Sequence, residues 1–374
     1  MDFDNLLQIL STPTFLTWKM VVMMIAGGVL IYLGIAKDYE PVLLIPIGFG
    51  AILTNLPLTP ISSAEGLLGI LYEVGVVTEL FPLLIFIGVG AMTDFGPLLE
   101  NPKMALLGAA GQLGIFATLM LALLLGFNLN EAASIGIIGA IDGPTSIYVS
   151  SKLAPHLLGP IAVAAYSYMS LVPIIQPPVM RLMTTEAERT VRMPYSQQEV
   201  SKTTRILFPI VVTIVISLIA PVASPLIATL MFGNLLRESL VVDRLARAAQ
   251  NELANVTTMF LGLAIGSTMV GEKFITVDTI LILGIGLLAF VLDTVGGVFF
   301  GKVMCVLSNK KFNPLIGAAG ISAFPMSARV VQRVGQEFDQ QNFLLMHAMG
   351  ANTAGQLGSV VAGSVVLSLL IGSY

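Results

Sequence analysis

The sequence predicts an all-α polytopic membrane protein built from a duplicated unit that breaks near its centre. Three observations predict it. Hydrophobic residues fill 56 % of the 374 positions and charged ones 11 %, with a mean hydropathy of +0.91, whereas soluble domains carry roughly 25 % charged residues. Apolar runs near the ~20 residues that a helix needs to cross the hydrocarbon recur along the chain. A glycine- and proline-interrupted segment occurs twice at a fixed spacing. The formal charge of −4 gives no reason for a nucleic-acid partner. A single cysteine, Cys305, excludes an internal disulfide, and two histidines, His156 and His347, leave little for a zinc site. The chemistry falls to oxygen ligands, backbone dipoles or a group brought by a partner.

The elements follow in order. Residues 1–13 hold two aspartates and no basic stretch, so the start does not read as a cleavable signal; DFDNLLQIL reads either as a short interfacial helix or as a frayed terminus. The run 15–35 is the first span. Pro46 and Pro57 flank a shorter stretch, 47–56, and 60–71 is weakly apolar. Further spans are expected at 75–92, 104–125, 157–183, 206–231, 256–270, 277–307 and 343–370, giving roughly nine to twelve membrane elements, some of them partial. The polar stretch 184–205 divides the chain into halves, 1–183 and 206–374, and its Lys and Arg residues put this linker on the cytoplasmic side. A second charged stretch, 237–252, has the spacing of an amphipathic or loop helix.

The halves repeat each other. GIIGAIDGPTSIYVS at 136–150 matches GAAGISAFPMSARVV at 317–331: Gly136 meets Gly317, Gly139 meets Gly320, Pro144 meets Pro325 and Ser146 meets Ser327, always 181 residues apart. Glycine-bearing apolar runs, IGVGAMTDFG at 87–96 and LGLAIGSTMV at 261–270, precede them and match loosely. Self-similarity leaves parallel and inverted duplication open. Gly143-Pro144 and Phe324-Pro325 each remove a backbone donor and turn the preceding residue away from helix. In lipid such a break is tolerated where the freed groups face protein or a water-filled cavity, and paired breaks in two halves point to a central ion site.

Asp142 is the sharpest single residue. An ionised carboxylate at membrane depth costs several kcal/mol unless a cation, a proton or hydrogen bonds compensate it. Thr145 and Ser146 follow within a turn, giving hard oxygen ligation suited to Na+ or H+. In HAMGANTAGQLGSVVAG at 347–363, Asn352, Gln356 and Ser359 share one helical face, with Thr353 beside them; small-residue helix packing is the competing reading. Tyr166 and Tyr168, in AAYSYMSLVPIIQPP, are polar for a span. Arg329 and Arg333 follow the second break and either snorkel to an interface or hold an anion. Asp94 follows a glycine-bearing run, and Asp278 and Asp293 read as charges at span ends. The sequence has no P-loop, dinucleotide fingerprint, HExxH or nucleophile elbow.

The strings GAIDGPTSIYVSSKLAP at 139–155, GISAFPMSARVVQRVGQ at 320–336 and FLLMHAMGANTAGQLGSVVAG at 343–363 resemble the β subunit of the sodium-translocating biotin-dependent decarboxylases, the group serving oxaloacetate, methylmalonyl-CoA, glutaconyl-CoA and malonate. The likeness covers essentially the whole chain. It implies an inverted-repeat, elevator-like transporter with two broken-helix hairpins, multi-pass in the cytoplasmic (inner) membrane. The implied enzyme is a carboxybiotin decarboxylase that releases CO2, consumes a proton and exports Na+. Implied partners are a biotin carrier subunit that presents carboxybiotin, a carboxyltransferase subunit, a small membrane-anchoring subunit and further copies of the chain, as a trimer. Biotin is not attached to this chain.

Carried over by motif, the resemblance places the functional aspartate on Asp142, a tyrosine on Tyr168, an asparagine on Asn352, and a serine and arginine on Ser327 and Arg329; the C-terminal serine falls on Ser359 or Ser364. Asp142, Thr145, Asn352 and Ser359 are then expected to hold Na+. Ser327, Arg329 and Tyr168 are expected to meet carboxybiotin, with Asp142, Tyr168 and Arg329 in the chemistry. Oxaloacetate-type chains are typically longer, which tilts the reading toward a CoA ester. The competing function is a secondary Na+/H+ antiporter or Na+-coupled carboxylate transporter; a mere membrane anchor fits poorly with an aspartate in mid-repeat.

Overall fold

The computed structural model describes residues 16–57, 60–193 and 200–371, and the opening DFDNLLQIL segment lies outside them. The regular elements are helical throughout. The longer helices are α1 (Trp18–Lys37), α2 (Pro41–Thr54), α3 (Leu80–Met92), α4 (Met104–Ala110), α5 (Leu113–Leu124), α6 (Leu129–Gly136), α7 (Gly143–Leu153), α8 (Leu158–Met183), α9 (Lys202–Ile219), α10 (Ser224–Ser239), α11 (Ala254–Ser267), α12 (Val277–Leu307), α13 (Met326–Phe338) and α14 (Leu345–Ile371). Among the described residues seven helical stretches are long and apolar enough to cross a membrane, and α2 and α3 are shorter apolar helices. On α9, Leu207, Ile210, Val211, Ile214, Val215, Leu218 and Ile219 are all exposed; an apolar helix presented this way belongs in lipid rather than water.

The helices differ from the expected runs where proline or glycine intervenes. The span expected at 206–231 is two helices, because Pro221 and Pro225 stop α9 at Ile219 and start α10 at Ser224. The span expected at 104–125 is interrupted at Gly111 and Gln112. The one expected at 75–92 starts at Leu80, after a π turn over Tyr72–Val77 and a left-handed Glu79. Pro46 lies inside α2 rather than flanking a shorter stretch.

Packing divides the chain into two compact units, and both sequence halves contribute to each. The first comprises Met1–Phe81 and Asn255–Leu281. Here buried Asn55 ends α2 and donates to the carbonyls of Ala51 (2.8 Å) and Met269 (2.7 Å), while its Oδ1 accepts from the Gly271 N–H (2.9 Å). One side chain thereby satisfies backbone groups that apolar surroundings would leave unpaired.

The second unit, Pro82–Ala254 with Ile282–Tyr374, contains both breaks. In the first, α6 tightens to a 3-10 turn over Ile137–Ala140, Ile141 turns left-handed (φ 54°), Asp142 is extended, and α7 begins. In the second, Asn313 caps a 3-10 turn over Pro314–Gly320, Ile321 is extended, and α13 begins at Met326. The 181-residue offset recurs in the hydrogen bonds. Ser146 Oγ donates to the Ile137 carbonyl (3.5 Å) as Ser327 Oγ donates to that of Ala318 (2.9 Å), and the N–H groups of the same serines reach the carbonyls of Asp142 (2.9 Å) and Ala323 (3.0 Å). The breaks also touch, the Ser322 N–H donating to the Ala140 carbonyl at 3.3 Å.

Candidate ion site where a long helix crosses the first break

The first break fixes the site's central group. Asp142 is the N-cap of α7: the dipole of that helix and its orphan N–H groups favour negative charge there. Pro144, in the first turn, costs no hydrogen bond. The side chain is buried, 4 % exposed, yet fully partnered. Its Oδ2 accepts from Thr145 Oγ1 (2.8 Å), Ser359 Oγ (2.7 Å) and Gln356 Nε2 (3.1 Å), and its Oδ1 lies 3.4 Å from the Thr145 N–H. All four donors are neutral. They stabilise a carboxylate while leaving its full charge for a mobile cation.

The chemistry of this set fits Na+. The Thr145 and Ser359 hydroxyls, now donating to the carboxylate, present lone pairs when they rotate. Gln356, not among the ligands expected, reaches Asp142 because it lies one turn before Ser359 on α14. Asn352 is a turn earlier still and serves the second break: its Nδ2 donates to the Ile321 carbonyl (2.7 Å), and its Oδ1 is buried without a partner. Ser322 Oγ donates to the Gly355 carbonyl (3.0 Å), so α14 is tied to both breaks. Ser364 donates to its own helix, at the Val360 carbonyl (2.5 Å).

The tyrosines separate. The Tyr166 ring lies against the Gly143 backbone, where a Cβ would come within 2.3 Å of it, so glycine is required. Its hydroxyl is buried without a partner. Tyr168 faces α12, donating to the Leu283 carbonyl. Ser327 is buried, its hydroxyl shared between the Ala318 carbonyl and Gln176 Oε1 (both 2.9 Å). Arg329, two residues on, is exposed and lines a groove with Gln332, Arg333, Gln336, Glu337 and Gln340. Tyr168 therefore meets α12, Ser327 meets Gln176 on α8, and Arg329 faces the exposed groove.

Sequence reasoning passed over Gln176. Fully buried on α8, its Nε2 also donates to the Ala318 carbonyl (2.8 Å). Its only signal was an amide in an apolar, proline-rich run. Asp94 joins a half-exposed cluster: its carboxylate is 3.2 Å from Arg237 and 3.6 Å from Arg205, both of which also approach Glu238. Burial pushes the Glu238 carboxyl up, against the pull of the two arginines. Asp278 is in the first turn of α12, at a span end. Asp293 is not at a span end: it lies near the middle of the single 31-residue helix that fills the span expected at 277–307, and it is buried there.

Residues 19–370 match the family model described as the Na+-transporting oxaloacetate decarboxylase beta subunit. The chain is 55 % identical over 356 residues to the glutaconyl-CoA decarboxylase subunit beta of Acidaminococcus fermentans, covering 95 % of this chain and 94 % of that one. It is 54 % identical to the methylmalonyl-CoA decarboxylase subunit beta of Veillonella parvula, covering 93 % and 92 % of the two chains. Identity to the oxaloacetate decarboxylase beta chain of Klebsiella pneumoniae is 46 %, with coverage of 94 % and 95 %.

Proposed function

The chain belongs to the family of β subunits of Na+-translocating, biotin-dependent decarboxylases, and on that premise we propose that it releases CO2 from carboxybiotin, consumes a proton and exports Na+. The observation that carries this reading is the Asp142 cradle, a buried carboxylate held by neutral donors where α14 crosses the first break. Asp142, Thr145 and Ser359 bind Na+, with Gln356 orienting the carboxylate and Asn352, through its unpartnered Oδ1, available from the adjoining turn.

Carboxybiotin arrives on a partner biotin carrier charged by a carboxyltransferase, and Arg329 in the exposed groove makes the first contact with its carboxylate. Loss of CO2 breaks the N–C bond and leaves the electron pair on the ureido nitrogen, which takes up one proton. Tyr168 relays that proton once its hydroxyl leaves the Leu283 carbonyl, and Ser327 contacts the ring when released from Gln176. Coupling requires Na+ occupancy and decarboxylation to bias the same equilibrium between inward- and outward-facing forms. We take that transition to be elevator-like, about inverted repeats, in a trimer joined by a small membrane-anchoring subunit in the cytoplasmic membrane. The greater identity to subunits named for CoA-ester decarboxylases supports a CoA ester as the complex's substrate.

The test follows CO2 release from a carboxylated biotin carrier by the purified complex, with and without Na+. Sodium-dependent release that disappears in Asp142→Asn is the expected result. Sodium binding without release at any concentration identifies an antiporter or Na+-coupled carboxylate transporter instead.

A further inference from the structure

A second carboxyl sits at membrane depth, outside the Asp142 cradle. Asp293 lies near the midpoint of α12, a helix about 46 Å long at 1.5 Å per residue. It is fully buried. Its Oδ1 accepts from the Gly114 N–H at 2.8 Å, at the start of α5 just beyond the interruption at Gly111 and Gln112, and its Oδ2 is buried without a partner. A Cβ on residue 114 would come within 2.5 Å of Oδ1, so the carboxyl lies directly on that backbone.

Among the described residues no charge of opposite sign faces it. Against this stretch of α12 lie Ala110 and Leu113 beside Gly296, Gly317 beside Gly297, and Ile138 and Tyr168 beside Gly286. Helices α4 and α5 and the 3-10 turns Ile137–Ala140 and Pro314–Gly320 contain no titratable side chain. On α8, Tyr166 is at Gly143, Tyr168 meets α12 two turns before Asp293, and Arg181 pairs with Glu337 (2.6 Å). On α12 itself Asp278 is in the first turn, and Lys302 and Cys305 lie more than two turns beyond, Lys302 paired with Glu188 (3.4 Å).

A bare carboxylate is strongly disfavoured in such surroundings. A metal cation would need several further oxygens, whereas among the described residues the carboxyl accepts from one N–H; the Thr294 hydroxyl, next along the helix, donates to the Phe290 carbonyl (3.1 Å). We propose that Asp293 is a proton-binding site: its carboxyl carries a proton, and as a neutral group it clasps α12 to the start of α5 through the Gly114 N–H. The proposal stands independently of the Na+ reading of Asp142.

Infrared spectroscopy of the purified complex in lipid tests it through the C=O stretch of a protonated carboxyl at neutral pH. The band is expected in the wild type, insensitive to Na+, retained in Asp142→Asn and lost in Asp293→Asn. An amide replaces a neutral carboxyl nearly isosterically, so Asp293→Asn is expected to fold with an unchanged unfolding midpoint, whereas Asp293→Ala, which strands the Gly114 N–H, lowers it. Absence of the band, its survival in Asp293→Asn, or failure of that variant to fold overturns the proposal. Failure of the Asp142 assignment registers separately, as a wild type that binds no Na+.

Discussion

The two breaks use one backbone device for different ends. In each, a serine four residues past the turn bonds back to a carbonyl nine residues before it, Ser146 to Ile137 and Ser327 to Ala318. The residue four before the serine is Asp142 in the first break and Ala323 in the second. The second break therefore needs only its backbone and serine satisfied, and Gln176 on α8 does so with two bonds. The first must also compensate a carboxylate, and Thr145, Gln356 and Ser359 converge on it. The two copies share the geometry, and one aspartate gives the first of them a buried carboxylate.

The comparison breaks most sharply at the aspartate. Asp142→Asn should lower Na+-dependent CO2 release by about 100-fold or more, since the charge that compensates the cation is gone. Combining Asp142→Ala with Ala323→Asp should not restore it, because the second break lacks the converging donors; recovered activity in that assay would show the copies to be interchangeable.

Gln176→Ala should act on the fold first. It removes two buried hydrogen bonds and leaves a void, while the Ser327 hydroxyl and the Ala318 carbonyl keep each other, a loss of about 1–3 kcal/mol in chemical unfolding, while Na+ binding persists. An unchanged unfolding curve would remove Gln176 from the account of the second break. A smaller change is expected from Ser359→Ala, which takes one of four donors from Asp142 and should weaken Na+ binding by about tenfold, equivalent to ~1.4 kcal/mol, as read by calorimetric titration.

The smallest effect lies outside the membrane. Hydrogen bonds from the exposed Arg192 hold the partly exposed Asp339 carboxyl below the usual carboxylate range. With the folded value lowered, the pair's contribution is present above the unfolded value of about 3.9 and is lost as pH falls through the folded one. Arg192→Ala should raise the Asp339 titration seen by NMR toward the usual carboxylate range, the Gln341 N–H still holding it down in part, and leave stability at neutral pH almost unmoved.

Much of this was legible because period and offset are read directly from residues. The repeat, the two proline breaks, Asp142 and the polar face at 352–359 all appear in the sequence. Which members of that face reach Asp142 depends on how α14 crosses α7, and helical spacing alone favoured Asn352 as much as Gln356. The interruption at Gly111 and Gln112 carries no proline, so an unbroken apolar run concealed it. Gln176 and Asp293 were obscure for a shared reason: a polar residue in an apolar run declares its burial only when the neighbouring helix is in place.

Titration calorimetry of Na+ into the purified complex, comparing the wild type with Asp142→Asn and Gln176→Ala, tests the central claim most directly. The account predicts a saturable isotherm in the wild type, its loss in Asp142→Asn and its retention in Gln176→Ala. An undiminished isotherm in Asp142→Asn would contradict it and move the ion away from the first break.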